Sequence, residues 1–186
     1  MLVAVLDADV LFPMVLRDTL LRAAASGCFR LHWTARILDE VARNLVGHHG
    51  MDQAQVTTLR TLMEDAFPDA AVEGWEALEG QMKNHPKDRH VAAAAAVIGA
   101  GIIVTSNVRD FVELPDGVVA MTPDQFLAEL LTANPGGLAA ALTSQAAGYR
   151  RPATTVAELI GQLGKTAPTF ASKALDGLPQ GRPKPA

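Results

Sequence analysis

Short unbroken apolar runs alternate along the chain with longer stretches in which apolar residues recur at helical spacing. Leu2-Val-Ala-Val-Leu6 is the first such run, and its continuous Val/Leu character predicts a strand buried on both faces, as in a parallel sheet. Beyond Pro13 a helix is predicted from about Asp18 to Ser26, with Gly27 as its stop. Phe29 to Trp33 alternates Phe, Leu and Trp with Arg and His, the pattern of a short strand. Thr34 is placed to cap a helix over Ala35–Val46 that Gly47 to Gly50 would close, and Asp52 to cap another through about Ala66. Between Asp69 and Pro86 the pattern is weak; a strand near Ala71–Val72 and a short helix around Trp75–Met82 are expected.

Asp88 opens an alanine-rich helix, Arg89 to Ala100, and Gly101 to Thr105 is a second buried strand. Ser106 to Leu114 reads as a polar loop, Val118–Met121 as a third strand, and Thr122-Pro123 as the start of a helix to about Leu131. Asn134-Pro-Gly-Gly137 breaks the chain; helices follow near Leu138–Tyr149 and Thr155–Leu163, and Gly177 to Ala186 reads as a loose tail. Strands separated by helices predict an α/β sandwich on a mostly parallel central sheet. Sites in such sheets lie at the carboxyl ends of the strands. Asp7 stands there after the first strand, and Asn107 and Asp110 after the strand around Ile102–Val104, so two distant acidic segments share one edge.

Composition narrows the class without naming it. Hydrophobic residues make up 49% and charged residues 19%, enough for a sizeable core and too apolar for a disordered chain. The net charge of -4 excludes a polybasic nucleic-acid binder, so any nuclease reading rests on local Lys/Arg placement. The single cysteine, Cys28, allows no intramolecular disulfide and fits a reducing compartment. Asp7 and Asp9 interrupt the amino-terminal apolar run, no basic stretch precedes it, and no run reaches membrane-span length; the expectation is a soluble cytoplasmic protein.

Each acid has a plain alternative role. Asp7 can simply start a turn, and Asp9 is better placed to fix the loop through backbone hydrogen bonds than to bind a ligand. Glu40 sits at the edge of the stripe of Ile37, Leu38, Val41 and Leu45, where an i,i+4 pair with Arg36 would account for it. Asp88 is in the position of an N-cap, and Asp110 of a solvated turn residue. Gathered at one sheet edge, however, these carboxylates have the chemistry of a divalent-metal site: Mg2+ and Mn2+ take hard oxygen ligands from a few carboxylates and water.

The segments Val5-Leu-Asp-Ala-Asp-Val-Leu11, Ile37-Leu-Asp-Glu-Val41, Asp88-Arg-His-Val-Ala-Ala-Ala94 and Ile103-Val-Thr-Ser-Asn-Val-Arg-Asp-Phe111, in this order, resemble the PIN-domain family and within it the longer VapC-like toxins. Met121-Thr-Pro-Asp-Gln-Phe-Leu127 extends the resemblance, which covers about residues 1–131. It implies a PIN-like three-layer sandwich over 1–131, with 132–186 as a helical extension and tail. It also implies an endoribonuclease dependent on Mg2+ (or Mn2+), an RNA substrate, a cognate antitoxin and a homodimer. The family's acidic positions fall on Asp7, Glu40, Asp88 and the Asn107–Asp110 segment; Asn107 stands where many relatives have an acid, leaving Asp110 as the fourth carboxylate. Asp9, Thr105, Asn107, Arg89 and Arg109 are expected in supporting or substrate-contacting roles.

Arg17, Arg36, Arg89 and Arg109 are read equally as RNA phosphate ligands or as partners that offset carboxylate repulsion. The pairs His48/His49 and His85/His90 are set aside as a zinc site because cysteine partners are absent and the pairs lie on separate elements. Trp33 and Trp75 are assigned to the core in preference to base stacking. Two rivals stand beside the nuclease. One is a haloacid-dehalogenase-like phosphatase with Asp7 and Asp9 as nucleophile and acid/base, which lacks a later Asp pair and a placed lysine. The other is a PIN-like scaffold that binds RNA without cutting it, against which the retained acids speak.

Overall fold

The structure is a computed structural model that describes residues 1–178, except the side chains of His48 and His49. Strands β1 (Leu2–Leu6), β2 (Phe29–His32), β3 (Ile102–Val104) and β4 (Val119–Met121) form a sheet in the order β2-β1-β3-β4. β1 pairs parallel with β3, and β3 parallel with β4. With its flanking helices this is the α/β PIN-like sandwich on a parallel sheet that the sequence predicts. The unbroken apolar runs become the central strands for the expected reason: Val5, Leu6, Ile103 and Val104 have no exposed surface at all.

Two packing groups divide the described chain. The first comprises Leu2–Pro13 and Arg30–Thr122 and contains the sheet. Its helices are α1 (Ala8–Leu11), α3 (Ala35–His49), α4 (Gln53–Ala66), α5 (Glu76–Glu79) and α6 (Arg89–Ile98). Helix α6 packs on β1 and β3 with an alanine face, Ala92 to Ala95, that is wholly buried. Thr34 caps α3 by accepting the Ile37 N–H at 3.1 Å, and Asp52 and Gln55 form a reciprocal capping box on α4. Helix α3 runs through Gly47 to His49 and ends at Gly50, whose φ of 62° suits glycine; the helical stripe overrides the Gly47 break. The weak region near Ala71 yields one parallel bridge, Trp33 with Ala71, in place of a strand. Trp33 and Trp75 are both buried, and Trp33 meets Phe67 edge-on.

Of the described residues, the second group comprises Met1, Met14–Phe29 and 123–178. It is helical: α2 (Met14–Ala25), α7 (Pro123–Ala133), α8 (Pro135–Gly148), α9 (Val156–Leu163) and α10 (Pro168–Gly177). α2 packs on α8 through a buried polar link. The Thr19 hydroxyl donates to Gln145 Oε1 at 2.8 Å, while Gln145 Nε2 donates to the Val15 carbonyl at 3.0 Å. Helix α10 goes beyond the elements the sequence pattern predicts; Ala167, Phe170 and Ala174 bury its inner face, and Asp124 accepts the Phe170 N–H at 2.8 Å. Gly177 and Leu178 belong to this helix and its cap, and the rest of the expected loose tail, 179–186, lies outside the described residues.

Candidate active site

Strand register builds the site. Leu6 pairs with Val104, so the first residues beyond the two central strands, Asp7 and Thr105, emerge side by side. The Asp7 N–H donates to the Val104 carbonyl at 3.0 Å, and Asp7 begins α1 as its cap, Oδ1 accepting the Ala8 N–H at 2.7 Å. Oδ2 accepts the Thr105 hydroxyl at 2.8 Å. Asp7 is only 7% exposed. Burial, and then the nearby Asp9 charge, push its carboxyl up to about 7 against the lowering effect of the Thr105 and Ala8 hydrogen bonds.

Asp9 Oδ2 accepts the Ser106 N–H at 2.9 Å, with the Thr105 hydroxyl at 3.4 Å, so this carboxylate fixes the turn after β3. Burial raises its carboxyl as well. Glu40 projects from α3 with Arg36 at 3.6 Å, Arg43 at 3.9 Å and His90 Nε2 at 3.6 Å. Burial raises it despite the two arginines. Arg36 also pairs with Glu79 at 2.8 Å and lies 5.9 Å from the Trp75 ring centre, so it is shared among neighbours.

Asp88 ends a one-turn 3₁₀ helix, Pro86–Asp88, and precedes α6. Its side chain makes no cap hydrogen bond, contrary to the N-cap role that its position suggests. Burial and then the Asp110 charge raise its carboxyl. Asp110 closes the 3₁₀ turn Val108–Asp110, hydrogen-bonds Asn107 Nδ2, and gives its carbonyl to the His85 N–H at 2.9 Å. One ligand atom each of His85, Asp88 and Asp110 fall within 4.8 Å of one another.

Asp7, Asp9, Glu40, Asp88 and Asn107 line one open cleft of about 370 Å3, together with Arg36, Arg43 and Lys87. Asp110 joins through Asp88, Asn107 and His85. Of the other expected residues, Arg89 turns its guanidinium to the Asn84 carbonyl at 3.2 Å, and Arg109 is exposed on the turn before Asp110. Arg17 is a buried residue of α2, in the second packing group. A larger groove of about 810 Å3 between α3 and α4 holds none of the proposed acids.

Arg43, Lys87 and His85 were not assigned from the sequence. Arg43 is legible in the sequence as the i+3 neighbour of Glu40 and Lys87 as the neighbour of Asp88; His85 carries no signal there beyond a histidine pairing that lacks cysteine partners. The donor set suits a hard divalent cation: the acids are oxygen ligands whose raised carboxyls report burial and mutual repulsion, the condition that a bound cation relieves. His48 and His49 side chains lie outside the described residues.

The family model described as the VapC50 C-terminal domain matches residues 123–176, a span that takes in α7, α8, α9 and most of α10. Among curated proteins, the chain is 34% identical over 130 residues to "Putative ribonuclease VapC50" of Mycobacterium tuberculosis (strain ATCC 25618 / H37Rv). That alignment covers 68% of this chain and 77% of the relative.

Proposed function

The chain belongs to the VapC-like PIN toxins that carry a C-terminal extension, and from that premise we propose that it is a divalent-metal-dependent endoribonuclease, the toxin of a toxin–antitoxin pair. The observation that carries the proposal is the convergence of Asp7, Asp9, Glu40 and Asp88 on one cleft at the carboxyl edge of the sheet. Asp7, Glu40, Asp88 and Asp110 are the residues to hold Mg2+ or Mn2+. When bound, such an ion supplies a water of lowered pKa and charge stabilisation at the phosphate.

The remaining residues serve geometry and substrate. Thr105 and the Ala8 N–H orient Asp7, and Asp9 holds the turn that presents Asn107. Arg43 and Lys87, on the cleft wall, meet RNA phosphates. Arg89 and Arg109 would act at the periphery. A phosphatase reading asks Asp9 to deliver a proton, whereas its carboxylate is tied to the Ser106 N–H and Thr105.

The cognate antitoxin would present an Arg or Lys to Asp7, Glu40 and Asp88, since a guanidinium bridges carboxylates bidentately. Homodimer formation, a cytoplasmic location, and a division into a catalytic domain over 1–131 with an extension over 132–186 complete the proposal. No helix among the described residues is long and apolar enough to cross a membrane. The test is inducible expression in a bacterium with and without the gene upstream. Growth arrest with a discrete RNA cut, relieved by the neighbour, is expected; unimpaired growth with intact RNA at confirmed expression overturns the proposal.

A further inference from the structure

Of the basic side chains on the cleft wall, Arg36 is the one that the fold holds in place. Its Nη1 donates to Glu79 Oε1 at 2.8 Å, a contact between residues 43 positions apart. Its guanidinium carbon stands 5.9 Å over the ring of Trp75, which is buried and meets the His90 ring edge-on. Arg43 is looser: its side chain is 71% exposed and approaches Glu40 at 3.9 Å. Lys87 is exposed as well. A loose cation must be ordered when a ligand arrives, whereas one already fixed by its neighbours need not be.

Two carboxylates compete for Arg36. Glu40 lies one helical turn along α3, at a spacing that lets such a pair close fully, yet its Oε1 stands 3.6 Å from Arg36 Nε, beyond hydrogen-bond length. Glu79 holds the shorter contact and so draws the guanidinium away from Glu40. The pair with Glu79 does not use up the side chain. A guanidinium carries five N–H donors in a planar fork, and Arg36 lines the cleft beside Asp7, Glu40 and Asp88 with 41% of its side chain exposed.

We propose that Arg36 is a ligand for an RNA phosphate beside the acids, and that Glu79 is its positioning residue, holding the guanidinium on the cleft wall and keeping it from closing onto Glu40. The proposal rests on the ribonuclease reading above. The planar fork suits a phosphate, which it meets with two parallel hydrogen bonds. The charge of Glu79 by itself repels RNA, so its effect through Arg36 and its effect as a bare charge have opposite signs.

The test uses the full chain. Binding of a defined single-stranded RNA is read in chelator by fluorescence anisotropy over a range of salt, and cleavage kinetics are read with Mg2+. Arg36→Gln should lower the slope of log affinity against log salt by about 0.7. Glu79→Ala should bind RNA about fivefold more weakly although it removes a negative charge, and Glu79→Gln, whose amide oxygen still accepts from Arg36, should stay within about twofold of wild type. In cleavage, Arg36→Gln and Glu79→Ala should raise KM with kcat within about twofold, the mark of lost substrate binding. Both side chains are partly exposed, so melting profiles should match wild type. If Arg36→Gln keeps the wild-type salt slope, or if Glu79→Ala binds RNA as tightly as wild type or more tightly, the proposal fails while the ribonuclease reading stands. If wild type neither binds nor cuts RNA, both fail together.

Discussion

Replacing Asp7 with asparagine should stabilise the protein without metal at high pH and give almost no benefit at low pH. In the folded chain Asp7 binds its proton up to about pH 7, against 3.8 for the ordinary carboxyl. Between those values the folded state holds a proton that the unfolded state has released, so stability falls as pH rises from about 4 through about 7. The gap of about three units sets a ceiling near 4 kcal/mol on the cost of the ionised Asp7 at pH 8. Asparagine removes that cost and keeps the acceptor for Ala8, but it loses the acceptor of the Thr105 hydroxyl, a loss of about 1 kcal/mol. The net gain is about 3 kcal/mol at pH 8 and under about 1 kcal/mol at pH 5. For a chain of this length, thermal melts in chelator should place Asp7→Asn about 6–12 °C above wild type at pH 8, with the gap mostly closed at pH 5. Added Mg2+ should narrow or reverse the order at pH 8, because binding to the folded state stabilises wild type more than a variant with one carboxylate fewer. A variant that melts at or below wild type at pH 8, or with an equal gap at both pH values, would refute the electrostatic account of Asp7.

Asp88→Asn should not lower the melting temperature in chelator, since the carboxylate makes no cap hydrogen bond and carries a charge that Asp110 opposes; a clear drop would show a capping role. Arg43→Ala and Lys87→Ala should each reduce the slope of log RNA affinity against log salt by about 0.7, read by fluorescence anisotropy, and an unchanged slope would remove them from the RNA path. Trp33→Ala empties a fully buried site against Phe67 and should cost about 3–5 kcal/mol in urea unfolding. A cost below about 1 kcal/mol would mean that the site collapses around the gap.

The central strands and the capped helices were legible because local signals and tertiary need agree there. Val5, Leu6, Ile103 and Val104 are apolar on both faces and are buried on both; Thr34 and Asp52 stand where caps are found. Disagreements arise where one signal overrides another. The hydrophobic stripe of α3 carries the helix past Gly47, and tertiary burial of Phe170 and Ala174 creates α10 in a stretch with little helical pattern. Asp7, Glu40 and Asp88 were legible as candidates from their positions at strand and helix ends. What one dimension could not give was distance. That Arg43, Lys87 and His85 stand with them follows from how α3 and the Asn84–Asp88 loop meet the sheet edge. His90, set aside as a zinc ligand in the sequence, is a buried ring with a pKa pushed down to about 4 by burial and by Arg36, its Nε2 3.6 Å from Glu40.

The central claim is that these acids form a cation-dependent RNA-cutting site, and purified protein on a defined single-stranded RNA tests it most directly. Cleavage is followed for wild type and for Glu40→Gln, each in chelator and in a Mg2+ or Mn2+ titration. Wild type should produce discrete fragments only with the cation, and Glu40→Gln should cut at least about a hundredfold more slowly, a loss of about 3 kcal/mol in transition-state stabilisation, while keeping its melting profile. Cleavage by wild type that persists in chelator, or a Glu40→Gln rate equal to wild type, would contradict the claim.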